Sequence, residues 1–331
     1  MVRFFNLGAW LLLILAGCMQ AGGPTAIGST ETATFDYAYR LFNERYALLE
    51  RRGTTFESSY PLYKSRVFDG MGTDSLWAVL TQWLQLLNDP HVQLVAPNRP
   101  VWYGHAVYQL RPNDDHFDRQ RILTRLTATQ TGEGYFLGRL GGLGYIHFAQ
   151  TGYPMENLAQ AIRLAHPDSG LIIDLRHNEG GDFTFGLKAF RQLNAQRRPI
   201  FSSRTKNGPG RNDFTPWFDW QLEASTQPFT RKVVVLTDRY TFSAGERCVM
   251  MLKNLPNVVV VGDTTLGGIS SVIPHTLPNG WIIRVSIQQV VSPTGQQFEG
   301  VGILPDLHVQ GRAAPAADVP LDSALAVLRR P

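Results

Sequence analysis

Ser243 stands where a strand should hand over to a helix. It follows the apolar run Val233-Val234-Val235-Leu236 and opens Ser243-Ala244-Gly245-Glu246. Upstream, a second apolar run, Leu171-Ile172-Ile173-Asp174-Leu175, leads into Gly180-Gly181. A hydroxyl at a strand–helix junction, beside a glycine turn, can place a nucleophile next to backbone donors for an oxyanion. The same four residues also spell a capping box, with Ser243 as cap and Glu246 reaching back. The two roles are compatible, because a helix N-terminus favours a nearby developing negative charge.

A serine nucleophile needs a base. Of the eight histidines, His91 is set apart by its place between a helix stop, Asn88-Asp89-Pro90, and a short apolar strand. His275 competes, lying near the Gly267-Gly268 turn. Glu299, in a polar, glycine-broken loop, reads as a solvated glutamate unless that loop folds back toward His91. In that case it could orient the imidazole and stabilise its charged form. Cys248, one helical turn beyond Ser243, reads as a buried core thiol. Other chemistries lack their signatures. No Gly-x-Ser-x-Gly surrounds Ser243, and no His-Glu-x-x-His, paired-cysteine metal motif, P-loop or dinucleotide fingerprint is present. No metal or other cofactor is expected.

The elements that must position these residues alternate. Apolar spacing predicts helices over 35–52 and 74–87, forming with the segment between them a small helical unit. Thr73 and Asp74 are candidate caps of the second, and proline ends it. From 97 to 134 the pattern is weak, with a hairpin expected. Strands follow at 135–140 and 143–148. Strand 171–175 precedes a helix at 183–195, strand 233–237 a helix at 243–254, and 258–261 is a further buried strand. Such alternation points to an α/β core with parallel pairing. Strands near 271–277, 281–285 and 288–291, then a helix over 321–328, complete the chain.

The N-terminus says where the chain acts. Leu7 to Ala16 is apolar apart from Gly8, follows a basic Arg3, and is too short to span a bilayer. It closes in Leu15-Ala16-Gly17-Cys18, which resembles a bacterial lipobox. Residues 1–17 are therefore expected to be a lipoprotein signal, Cys18 the lipidated first residue and membrane anchor, and 18–34 a flexible tether. Residues 35–95 then form the helical domain and 96–331 the α/β domain. With Cys18 lipidated, Cys248 has no disulfide partner. Met19 in place of aspartate favours the outer membrane, facing the periplasm, in a two-membrane host. The 331 residues are 44% hydrophobic and 18% charged, with a formal charge of +4 and a pI near 9.1, the ordinary balance of a globular protein. Lysine and arginine are scattered, which argues against nucleic acid as partner. Nothing in the sequence specifies an oligomeric state.

Five ordered segments carry a resemblance. They are Asp174-Leu175-Arg176-His177-Asn178-Glu179-Gly180-Gly181, Thr241 to Glu246, Val261 to Gly268, Leu87 to His91, and Glu299 to Asp306. Together they are similar to the motifs of the tail-specific, or C-terminal-processing, serine peptidases. The chain looks most like their tricorn-core and interphotoreceptor-retinoid-binding-protein branch, over roughly 35–328. The resemblance implies a ClpP/crotonase-like α/β fold with an N-terminal helical bundle. It also implies Ser243 as nucleophile, His91 as base, Glu299 as its partner, and an oxyanion hole from the amides of Ala244 and of Gly181 or Gly180.

Departures from the family pattern are visible. The lysine of a Ser–Lys dyad would fall at Gly268, and the single lysine after Ser243 is Lys253, in the same expected helix. Pro90 occupies the position of an additional serine. Between His91 and the strand at 143 about fifty residues remain, fewer than the roughly ninety of a PDZ domain, so capture of C-termini is not expected. The expected activity is hydrolysis of extended or unfolded peptides. The alternative is a non-catalytic protein that binds peptide or apolar ligands on the same scaffold. The aromatic run 214–220 could line such a groove, but core cover or a lid is the favoured reading of it.

Overall fold

A computed structural model of the chain describes residues 28–104, 117–166, 169–309 and 317–329. Cys18 and the signal-like segment lie outside the described residues. Among the described residues no helix is long and apolar enough to cross a membrane.

The apolar runs form the middle of a seven-stranded sheet. Its order is Leu307–His308, Val258–Gly262, Val233–Thr237, Leu171–Asp174, Leu143–Phe148, Tyr135–Leu140 and Thr127–Gly132. The first five are parallel to one another, and the last two are added by antiparallel pairing, Tyr135–Leu140 to Leu143–Phe148 and Thr127–Gly132 to Tyr135–Leu140. Every residue of Val233–Thr237 and of Leu171–Asp174 is buried, as expected for parallel strands covered on both faces. Alternate residues feed two cores. Ile173, Val233 and Val235 pack against the helices Leu158–Leu164, Thr184–Phe190 and Ala244–Lys253, while Ile172, Val234 and Leu236 face Arg119–Arg125 and Val319–Arg329. Because Leu171–Asp174 and Val233–Thr237 are parallel neighbours, the chain leaves both at the same end of the sheet. Parallel pairing therefore sets the glycine turn beside the serine.

The helical unit draws on more than the N-terminal sequence. Phe35, Phe42, Phe56 and Trp83 share a core with Leu277, Trp281, Ile283 and Val285. Strand Gln93–Val95 pairs antiparallel with Ile282–Ser286, Gln93 opposite Arg284. The residues after the helix stop are thus stitched to a hairpin from near the C-terminus, and His91 is held between the two.

Several elements differ from expectation. The first helix runs Glu31–Arg45, starting within the expected tether because Thr30 Oγ1 accepts from the amide of Ala33 and caps it. It stops at Tyr46, and a separate turn, Leu49–Arg52, follows. Helix Thr73–Leu84 is entered from Gly72 without a side-chain cap. Helices Arg119–Arg125 and Leu158–Leu164 and strands Arg198–Thr205 and Phe218–Leu222 were not legible. The aromatic run is only partly core cover. Trp220 packs on Phe183 and Phe201, but Trp217 and Phe218 are 41% and 60% exposed.

Candidate active site

Ser243 precedes the helix Ala244–Lys253 with φ 57° and ψ −121°, a backbone that side chains rarely adopt. Its hydroxyl makes no capping hydrogen bond. Glu246 is drawn instead to a neighbouring loop, where it accepts from Thr265 Oγ1, Gly267 N and Gly268 N at 2.6–2.7 Å. Burial raises its pKa to about 7 against the pull of those donors. The capping-box residues therefore bolt the 265–268 turn to the helix and leave Ser243 Oγ free for another partner.

That partner is His91. Its Nε2 lies 2.9 Å from Ser243 Oγ, and its ring packs on Phe242 with centroids 4.4 Å apart. His91 is 4% exposed, and burial holds its pKa down at about 4. His275, the competing base, sits instead on strand Val272–Thr276 opposite Ile283. For the hydroxyl to donate to Nε2, the ring proton must sit on Nδ1. No described residue accepts from Nδ1.

Glu299 does fold back, to 5% exposure, but it does not make the expected orienting bond. Its Oε2 accepts from the amides of Ile269 and Ser270 at 2.9 and 3.1 Å. Oε1 has no hydrogen bond, with Arg52 Nη2 3.5 Å away. One atom each from His91, Glu299 and Asp89 lie within 4.8 Å of one another. Such a trio could ligate a metal, but Arg52 beside the glutamate and the charges of Arg247 and Arg284 felt at His91 oppose a dication.

The glycine turn is built around Asn178. Its Oδ1 accepts from Gly180 N and Thr151 Oγ1, its Nδ2 donates to Phe148 O, and its carbonyl accepts from Phe242 N. Gly180 is spent on Asn178, whereas among the described residues the amides of exposed Gly181 and of Ala244 have no acceptor. This distinction favours Gly181 over Gly180 as the oxyanion donor. Gly180 matters sterically. At φ 88°, a Cβ there would sit 2.6 Å from Ser243 Cβ and 3.0 Å from Ala244 N. Gly180→Ala is expected to lower kcat/KM by about 100-fold, the size of losing one oxyanion donor. It should also destabilise the fold by about 2 kcal/mol, through strain and overpacking, as read from a denaturant melt.

Gly268 explains the missing lysine. A Cβ at that position would lie 2.4 Å from the Phe242 ring and 2.7 Å from Pro90, and the carbonyl of Gly268 accepts from Ser243 N. Cys248 is the expected core thiol, fully buried, with burial pushing its pKa to about 12.

Sequence reasoning missed Asp89, Arg52 and Arg247. In the sequence Asp89 reads as part of the helix stop and of the Leu87 to His91 segment, with no role of its own. Arg52 donates to the carbonyls of Leu87, Asn88 and Gly267, joining two loops of the site. Arg247 donates to Ile269 O, Ser271 Oγ and Gln288 Oε1 and packs against the rings of Phe183 and Phe201. Neither arginine has a local pattern that would reveal it.

Residues 142–309, half of the chain and the whole span from the glycine turn to the Glu299 loop, match the family described as Peptidase family S41. The chain belongs to that family. It is 25% identical over 173 residues to the carboxy-terminal processing protease CtpB of Bacillus subtilis (strain 168), covering 51% of this chain and 34% of that protein. The chain spans about a third of the length of the curated relatives it matches. A crystal structure of a candidate peptidase from Parabacteroides merdae ATCC 43184 superposes with a TM-score of 0.82 at 26% identity, covering 91% of this chain and 97% of that one. A lipoprotein from Streptococcus agalactiae shares the fold, with a TM-score of 0.55 at 15% identity, covering 91% and 96%.

Proposed function

We propose that this S41 chain is an envelope-anchored serine endopeptidase that hydrolyses extended or unfolded peptides through an acyl-enzyme. The observation that carries the reading is the 2.9 Å approach of His91 Nε2 to Ser243 Oγ, beside the unsatisfied amides of Gly181 and Ala244. His91 takes the hydroxyl proton as Oγ attacks the peptide carbonyl, and the two amides receive the oxyanion. The imidazolium then protonates the leaving amine, and the same base activates water for deacylation. Glu299 and Asp89 both lie close to the imidazole. The ligand-binding alternative expects His91 turned away from the serine or Glu299 out of its reach; Glu299 makes no bond to the ring, but His91 meets the serine, and that contact favours hydrolysis.

A cleft of about 680 Å³ adjoins the oxyanion turn, lined in part by Thr151, Tyr153, Asp182 and Phe185. Thr151 pairs with Gly181, so a side chain of a bound peptide could enter this cleft from the scissile bond. Anchoring rests on the lipobox-like Cys18, and the S. agalactiae neighbour is a lipoprotein.

The reading is tested by treating soluble protein that begins after Cys18 with a fluorophosphonate and mapping the adduct by mass spectrometry. A single adduct on Ser243, with cleavage of unfolded casein, is the expected result. Absence of both would remove the hydrolytic reading. The full-length protein, expressed in a bacterial host, should carry labelled palmitate at Cys18, and an unlabelled membrane fraction would remove the anchor.

A further inference from the structure

We infer that Asp89 is the positioning carboxylate of His91, holding its backbone and supplying the negative charge that the imidazolium needs, in place of Glu299. The inference rests on the hydrolytic reading above.

Asp89 is fully buried, and three donors converge on it. Oδ1 accepts from His91 N at 2.8 Å, while Oδ2 accepts from Tyr46 Oη and Ser286 Oγ, each at 2.8 Å. A carboxyl surrounded by donors behaves as an ionised, acceptor-only group. Its holders come from the two structures that clasp the His91 loop. Tyr46 ends the first helix, and Ser286 ends the strand paired with Gln93–Val95. The amide of Ala47 donates to Ser286 O at 2.9 Å and ties the holders to each other. Asp89 thus fixes His91 against both.

Glu299 is placed otherwise. One oxygen is spent on two amides, and the other has only Arg52 nearby. Burial, reinforced by the charge of Asp89, pushes its carboxyl well above the usual carboxylate range. The two carboxylates thus differ in their surroundings: Asp89 is enclosed by three donors that fix it in the His91 loop, whereas Glu299 is committed to the amides of Ile269 and Ser270. At His91 the charge of Asp89 is the main influence favouring protonation, against Arg247, Arg52 and Arg284. Without it, an imidazolium formed during acyl transfer would face chiefly cations.

Asp89→Asn and Glu299→Gln, each made in the otherwise unaltered protein, separate the two carboxylates. Steady-state hydrolysis of a fluorogenic peptide and fluorophosphonate labelling of Ser243 are followed from pH 4 to 9. Asp89→Asn is expected to lower kcat roughly 100-fold or more, the scale for losing a unit charge about 5 Å away in a partly buried setting. KM should stay within threefold, and the acid limb should stay at or below that of the unaltered protein. Glu299→Gln should lose less than tenfold. A kcat within threefold for Asp89→Asn, or an acid limb rising toward 6.5 as a solvated imidazole would show, overturns the inference. If Asp89→Asn does not fold, Ser286→Ala carries the test: a three- to tenfold fall in kcat at constant KM supports it, and an unchanged kcat overturns it. An adduct that maps elsewhere than Ser243 in the unaltered protein would instead remove the hydrolytic reading beneath.

Discussion

Ser243→Ala should reduce turnover to background, a loss of about 10⁴-fold or more in kcat/KM, because no other hydroxyl can take its place in the acyl-enzyme. Ser243→Gly should be as inactive yet more stable than Ser243→Ala. The reason is backbone strain. With φ 57° and ψ −121°, position 243 is held in a region that disfavours any Cβ, at a cost of order 1–3 kcal/mol. Glycine relieves that strain but loses about 0.5–1 kcal/mol of backbone entropy, leaving a net gain of roughly 1 kcal/mol. Thermal or denaturant melts of the two variants check the difference. Equal stability would mean that the turn carries no strain in solution. The strain has a use, since it directs Oγ toward His91 where an ordinary N-cap would turn it onto its own helix. The Phe242 amide on Asn178 and the Ser243 amide on Gly268 enforce it.

The parts of this site that could be read from sequence are those whose local pattern and role coincide. The buried strands Leu171–Asp174 and Val233–Thr237 announce themselves by continuous apolar runs, and the loops after them carry the glycine turn and the serine. Gly180 was legible as a turn residue, but its steric task against Ser243 depends on parallel pairing that no local pattern encodes. Glu246 reads from the sequence as a capping-box residue reaching back to the helix start, but its carboxylate is taken by donors about twenty residues further on. Asp89 was hidden by its own context, because Asn-Asp-Pro is a sufficient helix stop without a further role. Arg52 meets Gly267 and Glu299 across more than 200 residues, through packing of the helical unit on the C-terminal loops. Arg198–Thr205, the middle strand of a three-stranded sheet, escaped because a register shift between Pro199 and Phe201 breaks its alternation, and Phe218–Leu222 because an edge strand tolerates exposed polar residues.

Replacing His91 by glutamine should lower kcat/KM by about 10³–10⁴, the range for removing a general base that serves both half-reactions. In the unaltered protein the same residue sets the acid limit of activity. Burial holds its folded pKa at about 4, below the 6.5 of a free imidazole, although the charge of Asp89 opposes the shift. Since kcat/KM reports the free enzyme, the acid limb is expected near pH 4 and not near 6.5. Stability has the same sign. A histidine buried neutral contributes stability that is fully present above 6.5 and is lost as pH falls toward 4, because the unfolded chain takes up the proton first. His147, also held at about 4 by burial, adds to this loss. The buried glutamates Glu246 and Glu299 work in the opposite direction. Their raised pKa values favour the folded state below about 4.5, and that contribution fades as pH rises through the neutral range. Between 4.5 and 6.5 the two pairs offset each other, so the protein should remain folded while the rate is measured. Fluorophosphonate labelling against pH, with circular dichroism on the same samples, tests both halves. A limb at 6.5 on folded protein would mean that the imidazole is solvated at rest and that the buried Ser243–His91 contact forms only with substrate bound.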